Sequence, residues 1–180
     1  MNDENKSKLQ FKVADYCQTN FENESFTVIW ALESVCYALN KKDFLAEAYR
    51  LLKPGGRLIL ADGFANKSEF SKDEKTIMDA WVKNWAVHEL AEIESFKNSA
   101  QEVGFDLNFS QNISANIMHS SKRLYRFSLL NKMARSFRKM VGKPYKNKHA
   151  TNNGIGAYYQ YIGLKKKLWS YYIISAKKEI

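Results

Sequence analysis

Three carboxylates follow or end apolar runs, the positions from which strands deliver side chains to the edge of a sheet. Asp15 follows residues 9–14, Glu33 follows residues 26–32, and Asp62 ends a third such run. Ligands of open α/β sheets bind in the crevice outside the carboxyl ends of the strands. Glu33 is therefore a candidate to orient a hydroxyl, take a proton or stabilise a developing cation, or it bonds nearby loop amides. Asp15 and Asp62 have loop capping as the alternative role.

Aromatic residues supply a second set of candidates. Trp81, Trp85 and His88 recur at helical spacing, and aromatic faces bury large areas and attract cations. They are candidates to wall an apolar ligand pocket, although packing of a helix against a sheet would give the same spacing. Tyr158 and Tyr161 precede the last apolar run and are further pocket candidates.

The cysteines and the apolar runs indicate which broad classes of protein the chain does not resemble: disulfide-rich, secreted and membrane-spanning proteins. Cys17 and Cys36 have no metal-ligand spacing and are too few for a disulfide framework, which predicts no metal site and a reducing, cytoplasmic setting. The first twenty residues are charged and polar, so they lack the apolar region of a secretory signal. No apolar run reaches the length of about eighteen residues that a membrane-spanning helix needs.

The elements that must position the candidates predict an α/β fold. Residues 9–14 alternate apolar and polar side chains, which predicts a half-buried strand. Residues 26–32 and 57–62 are nearly continuous apolar runs, typical of strands buried on both faces of a parallel sheet. Residues 44–52 show one apolar helical face, and Pro54 ends that helix. This order predicts a doubly wound α/β sheet.

The sequence after residue 68 predicts an inserted helical lid and the remaining strands of the sheet. Apolar spacing over residues 69–97 predicts a helical lid, residues 99–103 a helix, and residues 105–110 and 168–176 two strands. We treat residues 1–180 as one partial domain. It comprises a core at 9–113, a basic helix and loop at 117–148, and a final helix or strand at 157–180.

Positive charge is concentrated in the last third of the chain. Residues 1–115 carry 13 Lys and Arg against 18 Asp and Glu, whereas residues 116–180 carry 15 against Glu179 alone. Residues 122–141 combine an apolar stripe with flanking cations, which predicts a basic amphipathic helix, and residues 143–156 predict a polar loop. The stripe consists of Leu124, Phe127, Leu130, Ala134, Phe137 and Val141.

This basic region predicts an anionic partner such as a membrane surface, a charged lipid or nucleic acid, with a solvated face as the alternative. Nucleic acid ranks last, because the cations alternate with an apolar stripe and no basic patch with stacking aromatics is evident.

Three segments carry a resemblance to a known family. They are Ala14-Asp15 followed by NFENESFTVIWALES, then FLAEAYRLLKPGGRLILAD, and finally LWSYYIISAKK. In this order and spacing they resemble class I S-adenosylmethionine-dependent methyltransferases, particularly the small-molecule group with tocopherol and sterol methyltransferases. The resemblance covers residues 9–113 well and the basic region more loosely. It implies a Rossmann-like sheet and S-adenosyl-L-methionine as cofactor.

The resemblance also assigns cofactor-binding residues. Asp15 would accept a hydrogen bond from the adenine amino group, with Tyr16 beside it. Ala31 and Leu32 would lie near the methionine portion of the cofactor.

On the acceptor side, the resemblance makes Glu33 the catalytic candidate and Ser34 and Tyr37 substrate-binding candidates. Related enzymes often carry a histidine after the Glu-Ser pair. Here Glu33-Ser34-Val35-Cys36 leads to Tyr37 instead.

Part of the family pattern is missing. The family has a glycine-rich loop after its first strand and an acidic residue after its second, yet no glycine precedes Gly55. Since residues 9–14 match the family's third strand, the first two strands are expected upstream of Met1. We then expect an open edge on the strand at 26–32, which invites pairing with the strand at 9–14, pairing with another chain, or aggregation. We also expect weak or no cofactor binding by the isolated chain. A partner chain that supplies the N-terminal half and an incomplete reading frame are alternative explanations of the missing strands.

The sequence therefore predicts methyl transfer to a small, apolar or lipid-like acceptor by a truncated fragment in the cytoplasm, peripheral to a membrane if the basic third docks there. The alternative is a non-catalytic remnant or module that docks on an anionic membrane or a partner subunit. Whether oxygen, nitrogen or carbon is methylated stays open.

Overall fold

The computed structural model describes residues 9–143 and 147–180. Its centre is a four-stranded sheet of β1 (Phe26–Leu32), β2 (Leu52–Ala65), β3 (Phe105–Asn112) and β4 (Trp169–Lys178), in the order β1-β2-β4-β3. The pair β1 and β2 is parallel, and β4 runs antiparallel to both β2 and β3. With helices on both faces, this is the predicted α/β class.

Five helices accompany the sheet: α1 (Lys41–Leu51), α2 (Lys72–Asn84), α3 (Ile93–Val103), α4 (Ser114–Met140) and α5 (Lys148–Lys165). Among the described residues, none of them is long and apolar enough to cross a bilayer.

Local signals set the helix ends. The Asn40 side chain accepts from the Lys42 N–H at the start of α1, and Ser71 and Glu74 form a capping box at the start of α2. Gly104 ends α3 with φ at 111°, a left-handed conformation that glycine adopts without strain.

Alternation along β2 divides the core between the two faces of the sheet. Leu58, Leu60 and Phe64 pack with α1 and α3, whereas Ala61 packs on the other side with α2, α5 and the start of α4. On that second side Trp169 is 2% exposed, stacks on Trp81 at 4.4 Å between ring centroids and donates its indole N–H to the Gln160 carbonyl. Trp169 thereby joins β4, α2 and α5.

The strand predicted at residues 9–14 is absent. These residues form no ladder, and Phe11 is 92% exposed. A strand is stable only when its backbone N–H and C=O groups find partners, and β1 pairs with β2 alone among the described strands. Alternating side chains without a neighbouring strand therefore leave the segment extended and solvated.

The prediction that β1 is buried on both faces is wrong. Ala31 is its one buried residue, while Val28 and Leu32 are exposed and Trp30 is 76% exposed. Among the described strands one edge of β1 is unpaired. Val28, Trp30 and Leu32 share its exposed face, whereas Ile29 and Ala31 on the other face belong to the core that includes Leu45 of α1. The predicted open edge of this strand is present.

The predicted lid at 69–97 divides into α2 and the start of α3, with a connecting segment between them. Of these two helices, α2 packs against α5. The helix α3 packs with α1 on the opposite face of the sheet, so the lid is shorter than predicted.

The loop predicted at 143–156 is wrong from residue 148 onward, where α5 begins; residues 144–146 lie outside the described residues. Glycines in this helix permit close packing. A Cβ on Gly156 would overlap Trp85 Cδ1, and one on Gly163 would lie 3.0 Å from Trp169 Cδ1. The glycines that suggested a loop instead make room for two tryptophans.

This packing predicts opposite effects for two neighbouring alanine substitutions. Alanine favours a helix over glycine by about 1 kcal/mol, but overpacking typically costs about 1–3 kcal/mol. We expect Gly156→Ala to lower the free energy of unfolding by about 1–2 kcal/mol. In Gly154→Ala, the new Cβ meets Asn131 Nδ2 at an ordinary 3.7 Å, so stability should rise by up to about 1 kcal/mol. Urea denaturation of both variants tests this; a stabilised Gly156→Ala would contradict the packing.

A buried carboxylate fastens the segment before β1 to α1. Glu47 is 8% exposed and accepts hydrogen bonds from the Thr19 N–H and Oγ1 at 2.8 and 2.6 Å. Arg50 donates to both Glu47 oxygens at 2.8 Å, and also to the Phe21 carbonyl. The bonds from Arg50, followed by those from Thr19, lower the pKa of Glu47 to about 2.

The lowered pKa predicts a pH-dependent contribution from Glu47. Its stabilisation is complete above the ordinary carboxyl pKa of 4.5 and is lost as the pH falls toward 2. We expect Glu47→Gln to lower the free energy of unfolding by roughly 2–3 kcal/mol at pH 7, and by progressively less below pH 4. Glu102→Gln, which removes an exposed ion pair with Lys42, should cost under about 0.5 kcal/mol. Equal losses at pH 7 and pH 2.5 would contradict the assignment.

Candidate active site

Glu33 occupies a strained position immediately after β1. Its φ is 48°, in the left-handed region that non-glycine residues rarely adopt, and its N–H donates to the Ala61 carbonyl at 2.8 Å. Such backbone strain costs of order 1–3 kcal/mol and concentrates at functional sites. The conformation turns the chain sharply at the carboxyl end of the strand.

A tyrosine from β4 holds the Glu33 carboxylate. The Tyr171 hydroxyl donates to Glu33 Oε1 at 3.0 Å and lies 3.4 Å from the Ala61 carbonyl. Burial, followed by the negative charge of Glu33, raises the pKa of Tyr171. Tyr171 therefore stays protonated as the donor, while Glu33 Oε2 has no hydrogen-bond donor among the described residues.

Asp62 fixes the turn that follows Glu33. It is buried, and its two oxygens accept from the Cys36 N–H at 3.0 Å and the Gly63 N–H at 2.8 Å. Burial raises the pKa of Asp62, although these backbone hydrogen bonds oppose the rise. The side chain thus ties the short 3-10 turn Val35–Tyr37 to the end of β2, and it combines the capping role with a place in the cavity wall.

A cavity of about 200 Å³ opens beside these residues. A 150 Å³ apolar cavity holds a benzene molecule, so this one has room for a somewhat larger group. Its walls are mostly apolar and also contain carboxylates and hydroxyls. They include Glu33, Asp62, Tyr171, Ser120, Trp81, Trp85, Ile117 and Leu124.

One polar atom in this wall is unsatisfied. Trp81 is 5% exposed, and its buried Nε1 has no hydrogen-bond partner among the described residues. Trp85 packs edge-on against it at 6.1 Å, and its own Nε1 donates to the Asn153 carbonyl. A buried unpaired donor costs about 1–3 kcal/mol, which a ligand oxygen or nitrogen in the cavity would offset.

The cavity unites some of the predicted ligand-binding residues and excludes others. Glu33, Tyr37, Trp81 and Trp85 line it together. The structure does not bring His88 to this site: it is exposed on the segment after α2 and lines a separate cavity. Because α2 ends at Asn84, His88 cannot continue the helical face that carries the two tryptophans.

Tyr158 and Tyr161 lie outside the cavity beside Glu33, and Tyr158 lines a separate cavity with Ser128. Both stack on Tyr125 of α4, with ring centroids 5.2 and 4.6 Å apart. Their rings pack α5 against α4. The helix instead presents Gln160 to the cavity, where its Oε1 accepts from the Ser121 hydroxyl.

The predicted cofactor residues form a second group. Asp15 is exposed, and its Oδ1 accepts from the Cys17 N–H at 2.9 Å, which closes a tight turn. The Tyr16 hydroxyl donates to the Ser34 carbonyl at 2.9 Å, and burial raises the pKa of Tyr16 to about 12. Ser34 thus contributes its backbone here and does not line the cavity. The Tyr16 bond ties the Asp15 turn to the segment after Glu33.

These residues fit one end of S-adenosylmethionine. Asp15 Oδ2 has no described donor and matches an amino group, and the Tyr16 ring packs edge-on against Phe44. Ala31 is small and buried at the carboxyl end of β1, followed by exposed Leu32. Among the described residues, no group of three His, Cys, Asp or Glu side chains could hold a metal ion.

Sequence reasoning missed Tyr171 as a site residue. It lies within the strand segment LWSYYIISAKK. Side chains alternate along a strand, so the sequence could have shown that Tyr171 and the adjacent Tyr172 point to opposite faces of the sheet. The pairing that brings Tyr171 opposite Gly63 was the missing information. Ser120, Ser121 and Gln160 carried no sequence signal.

Comparison with known proteins gives consistent relatives. Residues 1–60 match a family described as a methyltransferase domain. The chain is 31% identical over 99 residues to sterol methyltransferase-like 3 of Botryococcus braunii, covering 54% of this chain and 25% of that protein. It is 30% identical over 98 residues to 2-methyl-6-phytyl-1,4-hydroquinone methyltransferase of Synechocystis sp., covering 53% and 31% respectively. It thus matches about a quarter to a third of these curated relatives' length.

Solved structures share the fold. A phosphoethanolamine N-methyltransferase 2 from Haemonchus contortus, in complex with S-adenosyl-L-methionine, superposes with a TM-score of 0.66 at 16% identity. The match covers 92% of this chain and 36% of that one. Geranyl diphosphate C-methyltransferase from Streptomyces coelicolor A3(2) superposes with a TM-score of 0.62 at 14% identity. The match covers 93% of this chain and 51% of that one. The [4+2]-cyclase SpnF gives 0.67 at 16% identity, covering 99% and 60%, so the fold alone does not fix the reaction.

Proposed function

Because this chain belongs by sequence and by fold to the class I S-adenosylmethionine-dependent methyltransferases, we propose that it transfers methyl groups to a small, apolar or lipid-like acceptor. The reacting end of the acceptor occupies the cavity beside Glu33. The observation that carries the proposal is the Glu33–Tyr171 pair at 3.0 Å in a wall that is otherwise largely aromatic and aliphatic.

When bound, S-adenosylmethionine supplies a methyl group on a positively charged sulfur. The acceptor atom forms a bond to that carbon as the carbon–sulfur bond breaks, so the protein's tasks are alignment, exclusion of water and removal of any proton on the acceptor. Tyr171 fixes Glu33 through Oε1, which leaves Oε2 to orient the acceptor and take its proton. Trp81 and Trp85 exclude water, and the Trp81 N–H donates to a polar atom of the acceptor.

The cofactor end of the proposal rests on the Asp15 turn. Asp15 Oδ2 accepts from the adenine amino group, Tyr16 lies beside the ring, and Ala31 and Leu32 border the methionine portion. Since Tyr16 is bonded to the Ser34 carbonyl, the adenine side and the acceptor side are held in one unit.

Acceptor binding tests the proposal without requiring turnover. A sterol and a prenylated hydroquinone, the kinds of compound in the relatives' names, should saturably quench the tryptophan fluorescence of the purified chain. Trp81→Phe should weaken binding at least tenfold because the indole donor is lost, whereas Trp30→Phe, outside the cavity, should not. Quenching that stays equal in both variants would contradict the cavity as the binding site.

A partner chain at the β1 edge is part of the same proposal. Exposed Val28, Trp30 and Leu32 on an unpaired edge suit the addition of another strand. Calorimetry should give weak S-adenosylmethionine binding for the chain alone and tighter binding once that partner is present. Low-micromolar binding by the chain alone would overturn this part.

The second candidate function is a non-catalytic module that docks on an anionic membrane or a partner subunit. The exposed apolar stripe of α4 favours it. Transfer of label from methyl-labelled S-adenosylmethionine into an organic-soluble acceptor would distinguish the first function from this one. Under either function we propose a cytoplasmic protein, peripheral to a membrane.

A further inference from the structure

The helix α4 has one packed side. Along it the Ser121 hydroxyl bonds Gln160 of α5, the Tyr125 ring stacks on Tyr158 and Tyr161, and Ser128 is buried. Hydroxyl groups and stacked aromatic rings thus make the contact with α5. A surface helix normally buries its apolar residues and exposes its polar ones.

The rest of the α4 surface carries the large apolar residues, beginning with Leu124 at the border of the packed side. They recur every three or four positions and are between 43% and 76% exposed: Leu124, Phe127, Leu130, Met133, Phe137 and Met140. We call these six residues the outer stripe. Five of them, from Phe127 to Met140, are more than half exposed. This reverses the ordinary arrangement, and a contiguous apolar surface of this kind marks an interaction site.

Cations border and interrupt the outer stripe. Lys122, Arg123 and Arg126 are exposed on α4, and none of the three forms an ion pair within the part of the chain that the structure describes. From residue 116 to residue 178 the sequence contains no Asp or Glu. A helix with bulky apolar residues and Lys and Arg beside them is suited to the boundary between phosphate headgroups and acyl chains.

The stripe is continuous with the acceptor cavity. Leu124 is its first residue and also lines the cavity beside Glu33, as do Ser120 one turn earlier and Ile117 two turns earlier. A surface that received the outer stripe would therefore also receive the cavity mouth.

We propose that the outer stripe docks on an anionic membrane surface and that the cavity takes its acceptor directly from the bilayer. The second half rests on the proposed function, whereas the docking does not. An anionic bilayer satisfies both features at once, because acyl chains accept Phe127, Leu130 and Phe137 while phosphates pair with Arg123 and Arg126. Each basic residue near such a surface adds attraction that salt screens.

Vesicle co-sedimentation tests the docking. The full chain should bind vesicles of phosphatidylcholine with 30% phosphatidylglycerol at least tenfold more tightly than pure phosphatidylcholine, and less tightly as salt rises. Phe127→Ser with Phe137→Ser should reduce binding at least tenfold on anionic vesicles. Both side chains are about 60% exposed (58% and 61%), so the fold should survive, as circular dichroism can verify.

Two further variants separate the contributions. Arg123→Gln with Arg126→Gln should abolish the preference for anionic vesicles and leave the weak binding to phosphatidylcholine. Trp30→Ser removes an exposed apolar residue from the β1 edge and should leave vesicle binding unchanged. Docking is overturned if the double phenylalanine variant binds like the parent chain. It is also overturned if vesicles do not bind and the stripe instead captures a protein.

Sterol delivery tests the uptake route and separates it from the proposed function. Sterol presented in cyclodextrin reports on the cavity alone, and sterol presented in anionic vesicles reports on transfer from the bilayer. The double phenylalanine variant should retain binding from cyclodextrin and lose at least tenfold in the rate of transfer from vesicles. No sterol binding from either source would contradict the cavity's function while leaving docking intact, and equal transfer rates would overturn uptake from the bilayer.

Discussion

Glu33→Gln is expected to lower methyl transfer about 10²–10⁴-fold, the usual contribution of a positioned general base. Glutamine keeps the size of the side chain and an oxygen that accepts from the Tyr171 hydroxyl, so the 3.0 Å contact and the turn after β1 should persist. What is lost is the negative charge and the ability to take a proton. The loss should fall on kcat, with KM for the acceptor changed less than threefold.

Labelled S-adenosylmethionine and an organic-soluble acceptor give the measurement. Tyr171→Phe should cost less, about tenfold, because it releases the carboxylate without removing it. Glu69→Gln, an exposed carboxylate outside the cavity, serves as the control with unchanged activity. If Glu33→Gln raised KM and left kcat at the parent value, Glu33 would bind the acceptor without taking part in the chemical step.

Trp169→Ala should produce the largest loss of stability, about 3–5 kcal/mol, as is typical for truncation of a buried aromatic. The ring is 2% exposed, stacks on Trp81, donates to the Gln160 carbonyl and contacts Gly163. Removing it leaves a cavity at the junction of β4, α2 and α5 and an unpaired carbonyl. Since small domains have a free energy of unfolding of about 5–15 kcal/mol, this is a large share of the total.

Trp30→Ala is the matched control for this prediction. It removes an equally large ring from an open edge, where the ring is 76% exposed, and should change stability by less than about 0.5 kcal/mol. Urea denaturation with far-ultraviolet circular dichroism measures both. Comparable losses in the two variants would mean that the β1 edge is covered in solution.

Local signals were enough to predict much of the fold. The apolar runs that became β1 and β2, the helix α1 between them, and the end of α3 at Gly104 all depend on residues close in sequence. The apolar run in β1 also predicted burial, and this was wrong, because burial depends on which neighbours cover a strand. The alternation at residues 9–14 failed for the same reason.

The helix α5 could not be inferred from its own residues. Its glycines indicate a loop by propensity, and their role becomes clear only from the ring of Trp85, which approaches Gly156 from α2. For α4, the apolar stripe predicted the helix correctly but indicated the wrong burial. Its period correctly predicted a helix, yet the usual rule would turn Phe127 and Phe137 inward, and they are exposed.

The site divides in the same way. Glu33 and Asp62 followed from the rule that strand ends carry ligand-binding residues, and both line the cavity. Tyr171 lies 138 residues from Glu33 along the chain, and only the pairing of β4 with β2 brings them together. His88 failed because helical spacing was extended past the end of α2.

The position of β4 between β2 and β3 has a consequence for folding kinetics. Its register joins Leu58 to Ala176 and Ala65 to Trp169, so the chain must close a loop of more than a hundred residues before the sheet's central pair can form. Closure entropy of that kind delays productive contacts and slows folding relative to helical bundles of similar size. Until β4 inserts, β2 has an unpaired edge and Tyr171 cannot reach Glu33. The Glu33–Tyr171 contact should therefore be among the last contacts to appear during refolding.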